Sequence, residues 1–269
     1  MYEEHWKLRA KPFENDLDTS FFYPSREHRE ALVRLLYAVS EGKGCALLTG
    51  EPGCGKTFLL HRLAAELAER GVRVALIKNP ASEPLDLLRQ IARALGVRNA
   101  DTSKSDLVAA LEQFLVYHRA RGSRAVVLID DADVIDDERA YEELRLLLNL
   151  ESGGRGLLTL VLAGPARLTK IVRRVPGLAQ RVAVSASLPP LGGSETSGYI
   201  AHRLGRAQGR PEIFDRRALS EIHRASGGVP RLINHICDLS LLIGASEGSQ
   251  RIDARIVERA QQEIRDLRG

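Results

Sequence analysis

The stretch Gly50-Glu51-Pro52-Gly53-Cys54-Gly55-Lys56-Thr57 limits the fold of this chain more than any other. It satisfies G-x-x-x-x-G-K-[ST] at every fixed position. The apolar run CALLTG (45–50) precedes it. The stretch TFLLHRLAAELAERG (57–71) follows, with Leu60, Leu63, Ala64 and Leu67 at helical spacing and Gly71 as a stop. Strand, glycine-rich turn and helix in that order make a cradle for phosphate. Glycines let backbone N–H groups turn inward around an anion, and the following helix N-terminus favours negative charge. Gly50, Glu51, Pro52, Gly53, Cys54, Gly55, Lys56, Thr57 and Phe58 are therefore expected to surround the phosphates of ATP. Lys56 is expected to reach the β- and γ-phosphates and the Thr57 hydroxyl to ligate Mg²⁺. Cys54 occupies a variable position and reads as a small filler.

A second acidic handle follows. In AVVLIDDAD, the apolar residues Val126, Val127, Leu128 and Ile129 make a strand, and Asp130 emerges at its C-terminal end. Ligands of open α/β sheets bind at that edge, so Asp130 is the expected Mg²⁺ partner. Asp131 comes next and is placed to polarise an attacking water. Asp133, Asp136 and Asp137 read as a solvated acidic loop.

Around these motifs strands and helices alternate. Helical patterns are expected at 26–40, 84–95, 105–120 and 141–152, and strands at 72–78, 156–164 and 181–188. This is the rhythm of an α/β fold, a parallel sheet covered by helices on both faces. After LPPLGG (188–193) the strands stop. Helical patterns occupy 194–208, 215–226, 230–246 and 252–267, with Ile256, Ala260, Ile264 and Leu267 on one side of the last. The expected organisation is an α/β nucleotide-binding domain over residues 1–190, including an ordered N-terminal arm, and a helical domain over 191–269.

These segments together resemble the AAA+ ATPases, and among them the ATPase domain of the general secretion pathway protein A type and the related TniB and MuB transposition regulators. The resemblance rests on KPF, FFYPSREHREAL, LLTGEPGCGKT, VALIKNP, VVLIDDAD, LVLAGPARL, LAQRVAVSASLPPL, ETSGYIAHRL and SGGVPRLINHICD, which cover nearly the whole chain. It implies a P-loop NTPase three-layer sheet followed by a small helical lid. It also implies a sensor arginine at Arg231 that brings positive charge to the γ-phosphate. Arg181 matches the position of an arginine finger that acts on a neighbouring subunit, with Arg173 and Arg174 as runners-up. A finger implies a homo-oligomer, ring or filament, assembled through the ATP interface. Two departures from the family pattern are expected to slow hydrolysis. Asp131 stands where a longer Glu is usual. Gly164, Pro165 and Ala166 carry no polar side chain where the family has one, leaving Thr159 and Arg167 as substitutes.

Composition adds bounds. The net charge of +4 and pI near 9.1 permit nucleic-acid contact without requiring it. Arg89/Arg93, Arg119/Arg121/Arg124 and Arg203/Arg206/Arg210 are the candidate DNA surfaces. Phe22, Tyr23 and His28 are the candidate adenine contacts. Three cysteines without a paired spacing argue against a zinc site or disulfide framework and point to a reducing, cytoplasmic setting. No apolar run approaches about 18 residues, so direct membrane insertion is not expected. Two roles fit: an ATPase switching the assembly of a protein partner complex in secretion or the envelope, and an ATP-dependent DNA-binding transposition regulator.

Overall fold

The computed structural model describes residues 2–98 and 100–266. The chain forms two compact units. One comprises Arg26–Pro52 and Lys56–Leu188; the other comprises Met1–Ser25, Gly53–Gly55 and Pro189–Gly269, over their described residues.

In the first unit five strands form one parallel sheet: β1 (Cys45–Gly50), β2 (Arg73–Ile77), β3 (Ala125–Ile129), β6 (Leu158–Gly164) and β7 (Val182–Leu188). Their spatial order is β2-β3-β6-β1-β7. The two-residue strands β4 (Glu151–Ser152) and β5 (Arg155–Gly156) make a separate antiparallel hairpin. Every residue of β1, β3 and β6 is buried, which is why their sequences read as unbroken apolar runs. The edge strands β2 and β7 alternate between buried and exposed positions.

Helices α2 (Arg26–Ser40), α3 (Lys56–Glu69), α4 (Pro84–Leu95), α5 (Lys104–Ala120), α6 (Glu138–Leu147), α7 (Arg167–Arg173) and α8 (Pro176–Ala179) cover the sheet. One core runs from Leu87, Leu88 and Ile91 of α4 through Val127, Ile129, Leu160 and Leu162 of the sheet to Tyr141 and Leu144 of α6. Helix α6 starts and ends earlier than the expected 141–152. Asp137 caps it by accepting the Arg139 N–H, and the β4–β5 hairpin takes up the residues beyond its end.

The second unit is helical, with α1 (Tyr2–Trp6), α9 (Gly193–Arg206), α10 (Arg216–Ser226), α11 (Pro230–Ser246) and α12 (Ala254–Asp266). The N-terminal arm was expected with the α/β domain. The structure places it here instead, because its aromatic residues share the helical core. Tyr2, Trp6, Leu8 and Phe13 are buried with Ile200, Phe214, Ile236 and Leu241. The Trp6 indole N–H donates to the Leu241 carbonyl (2.8 Å), and the Arg9 amide donates to the Ala207 carbonyl (2.9 Å). Leu267, expected on the apolar side of the last helix, lies outside the described residues.

Arg203, expected on a DNA-contacting surface, is only 5% exposed. Its Nε donates to the Pro12 carbonyl, its Nη2 to the Glu14 carbonyl (2.9 Å) and its Nη1 to the Tyr199 hydroxyl (3.0 Å). That hydroxyl donates to Asn234 Oδ1 (2.8 Å), and Asn234 Nδ2 donates to Asn15 Oδ1 (2.8 Å). Burial of a guanidinium is tolerable only when its N–H groups are satisfied, and here arm carbonyls do this.

Trp6→Ala removes a fully packed indole and the hydrogen bond to Leu241. It is expected to destabilise the helical unit by about 3–5 kcal/mol, read as a lower midpoint in urea unfolding.

Candidate functional site

Parallel pairing brings the ends of β1, β6 and β3 to one edge of the sheet. Thr49, just before the glycine loop, pairs with Gly164 at the end of β6. Ile129, just before Asp130, pairs with Leu162. The loop after β1 and the acid after β3 therefore flank the end of β6, where open α/β sheets bind ligands.

Across the loop, Gly53 and Gly55 both adopt φ of +87°, a left-handed conformation that glycine enters without steric cost. Cys54 is fully buried, as expected of a filler. Glu51 and Pro52 are exposed, while Gly53, Gly55, Thr57 and Phe58 are half-buried. Lys56 opens α3 with 7% of its surface exposed. Its Nζ donates to the carbonyls of Gly50 (2.9 Å) and Glu51 (3.2 Å). These acceptors are neutral, so a buried ammonium charge stands within the loop.

Asp130 is 4% exposed. Its amide donates to the Ile77 carbonyl (2.8 Å), fixing the acid at the strand end, and its Oδ1 accepts the Asp131 N–H (3.0 Å). Asp131 is exposed, with φ of +46°, a backbone state that aspartate tolerates better than most residues. The following turn is clamped by the buried Tyr141, whose hydroxyl donates to the Ala132 carbonyl (2.6 Å).

A buried cation after β1 and a buried carboxylate after β3, on either side of the end of β6, with glycine backbone between β1 and α3, fit a metal–nucleotide complex. Lys56 and the loop amides are the groups that would meet its phosphates. Thr57 and Asp130 have the oxygen chemistry that a hard divalent cation takes. When bound, such a cation neutralises charge on the phosphate oxygens. Arg231 is the second residue of α11 and is exposed. Within its unit, its backbone N–H donates to the Gly53 carbonyl (3.3 Å).

Arg181 lies at the other edge of the sheet. It directly precedes β7, whose last residue Leu188 pairs with Gly50. Seven residues of strand separate it from the loop, a run of about 20 Å. Its side chain donates to the Leu148 carbonyl (3.3 Å) and to Asn149 Oδ1 (2.7 Å).

Several expectations are corrected. Thr159 sits early in β6, paired with Val126, and is 2% exposed. Burial at the far end of the strand removes it as a substitute polar group for the site. Asp133 is not solvated: its side chain is 3% exposed and ion-paired to Arg167 (2.5 Å). Asp137 caps α6 and pairs with Arg139 (2.7 Å), which holds its carboxyl below the usual carboxylate range. The other candidate DNA surfaces are not overturned: Arg93 and Arg121 are exposed, Arg93 pairs with Asp101, Arg89 pairs with Asp86 (3.1 Å), and Arg121 stacks on the Tyr117 ring at 3.5 Å.

His61 was missed. Burial and the charge of Lys78 push its pKa down, while Asp130 pulls it up, so it lies within electrostatic range of both. Its Nε2 is buried and makes no hydrogen bond. The available signal was its place four residues after Thr57, on the same helix face.

Lys56→Ala is expected to weaken binding of a fluorescent ATP analogue by about a hundredfold or more, because it removes the buried charge that would meet the phosphates. Asp130→Asn is expected to retain nucleotide and lose at least about a hundredfold in hydrolysis, measured as phosphate release.

Residues 39–172 match the AAA domain family. Over its whole length the chain is 35% identical to general secretion pathway protein A of Aeromonas hydrophila and spans 49% of that protein. In fold it is similar to the ORC2 protein of Aeropyrum pernix in its ADPNP–ADP complexes. That pair is 17% identical, with a TM-score of 0.69, over 91% of this chain and 71% of that one. It is also similar to the RuvB Holliday junction branch migration motor of Thermotoga maritima, at 20% identity and a TM-score of 0.59 over 94% of this chain and 73% of that one. With its parallel sheet, glycine loop, lysine and strand-end acid, the chain belongs to the AAA+ P-loop ATPases.

Proposed function

We propose that this ATPase binds ATP–Mg²⁺ at a subunit interface and uses slow hydrolysis to switch assembly of a protein complex of the secretion or envelope type. The observation that carries the role is the 35% identity to general secretion pathway protein A along the whole of this chain.

In this reading the loop amides and Lys56 hold the phosphates. Thr57 and Asp130 hold the cation. Asp131 orients the attacking water, and Arg231 couples the helical unit to the γ-phosphate. Arg181 acts on a neighbouring copy. Its support is geometric: about a strand length lies between Arg181 and the loop of its own chain, so a phosphate role for it requires a second subunit. Slow turnover is supported by Asp131, whose carboxylate sits one carbon closer to the backbone than a glutamate's, and by the non-polar Pro165 and Ala166.

A second reading, ATP-dependent binding to DNA, draws on the fold shared with a branch migration motor and on the net charge of +4. It has less support, because the arginine clusters that suggested it are partly spent on intramolecular bonds. Retention on DNA that needs ATP and weakens steeply with salt would favour it over the protein-assembly role.

The wild-type protein is expected to turn over below about one ATP per second. Asp131→Glu is expected to raise that rate, by up to about a hundredfold, in a coupled ATPase assay. Arg181→Ala is expected to bind ATP normally and lose hydrolysis. Mixing it with Lys56→Ala protein is expected to restore part of the activity, since one intact finger then meets one intact loop. Hydrolysis unaffected by Arg181→Ala removes the finger assignment.

A further inference from the structure

The end of β6 lies between the two strand ends that carry the site. Gly164 pairs with Thr49, one residue before the loop, and Leu162 pairs with Ile129, one residue before Asp130. Pro165 and Ala166 bring no polar side chain to this position. Two residues from other elements occupy it: Asp133, in the turn after β3, and Arg167, which opens α7.

Arg167 reaches Asp133 Oδ2 through Nη2 (2.5 Å) and Nε (2.8 Å). The second carboxylate oxygen, Oδ1, is buried and makes no hydrogen bond. It stands against Gly164, where a Cβ would come within 2.8 Å of it. The missing side chain at Gly164 is therefore what admits the carboxylate.

The pair is lopsided. The Asp133 side chain is 3% exposed, and that of Arg167 is 69% exposed. An exposed partner contributes little to stability, while a buried carboxylate with an unmet oxygen costs free energy. Stability alone therefore does not account for the arrangement. A rigid carboxylate does, however, fix the plane of a guanidinium, and the N–H groups it leaves unused then point from a defined position.

We propose that Arg167, oriented by Asp133, contacts the γ-phosphate and supplies the polar group that β6 itself lacks. Arg167 distinguishes triphosphate from diphosphate, and Asp133 is its positioning residue. The inference rests on the ATP site proposed above and adds the group that reads the terminal phosphate.

The test compares affinities for the fluorescent analogues mant-AMPPNP and mant-ADP. Arg167→Ala is expected to weaken the triphosphate analogue about tenfold and leave mant-ADP within about twofold. Arg167→Lys is expected to recover part of the loss, as a charge without the planar fork. Asp133→Asn is expected to shift binding in the same direction, and the double variant Asp133→Asn/Arg167→Ala to be no worse than Arg167→Ala alone. A structural brace would give equal losses for both nucleotides, which overturns the proposal, as does no loss for either. Arg167→Gln, which keeps a polar side chain without the charge, repeats the measurement if Arg167→Ala melts at the assay temperature. Lys56→Ala separates the two levels of inference. If it leaves both affinities intact, the ATP site itself is misplaced. If it abolishes both while Arg167→Ala changes neither, only the present proposal fails.

Discussion

The parallel register of β1, β6 and β3 is the constraint on which the site depends. These strands are buried along their whole length, so their pairing cannot slip without exposing apolar side chains or leaving amides unbonded in the core. That fixed register sets the level of Gly50, Gly164 and Asp130 relative to one another. The Lys56 ammonium is buried against neutral carbonyls and the Asp130 carboxylate against a backbone amide, so each charge lacks an ionic partner in these contacts. The sheet supplies the rigidity that holds them, and a phosphate–metal complex is the chemistry that satisfies both.

The helical unit uses a different device. Its core closes only when the N-terminal arm is in place, through Trp6, Phe13 and the carbonyls of Pro12 and Glu14 on Arg203. The partners are about 190 residues apart in sequence. The arm is therefore part of the helical unit's stability, although it directly precedes the α/β unit along the chain.

This contrast explains what the sequence revealed. The loop, the apolar strands and Asp130 were legible because each is a local pattern whose meaning lies within about ten residues. The parallel α/β class follows from the alternation of elements, while the strand order β2-β3-β6-β1-β7 is set by pairings distant in sequence. What was not legible depends on distant pairing. Nothing near Arg203 marks it as buried, since its acceptors are backbone carbonyls that any sequence provides. Asp133 read as one more solvated acid because its partner Arg167 lies beyond β6. The end of α6 was misread because LRLLLNL continues a helical pattern, while the β4–β5 hairpin that stops it shows only weakly in the letters ESGGRG.

The same distinction bears on the chemistry. Judged from the letters, the region after β6 is stripped of polar groups, which argues for a site that holds ATP and acts on it slowly. In three dimensions Asp133 and Arg167 refill that region from two other elements, and Gly164 makes the space. A polar group delivered through an ion pair differs from one fixed on a strand. Asp133 fixes the guanidinium plane while the pair is closed, but a pair exposed on its Arg167 side is weak, so keeping it closed on a phosphate costs ordering entropy that a strand-borne side chain would already have lost. Binding of the triphosphate then does part of the work of assembling the site. This favours discrimination between ATP and ADP over rapid turnover, the balance that suits a switch more than a motor.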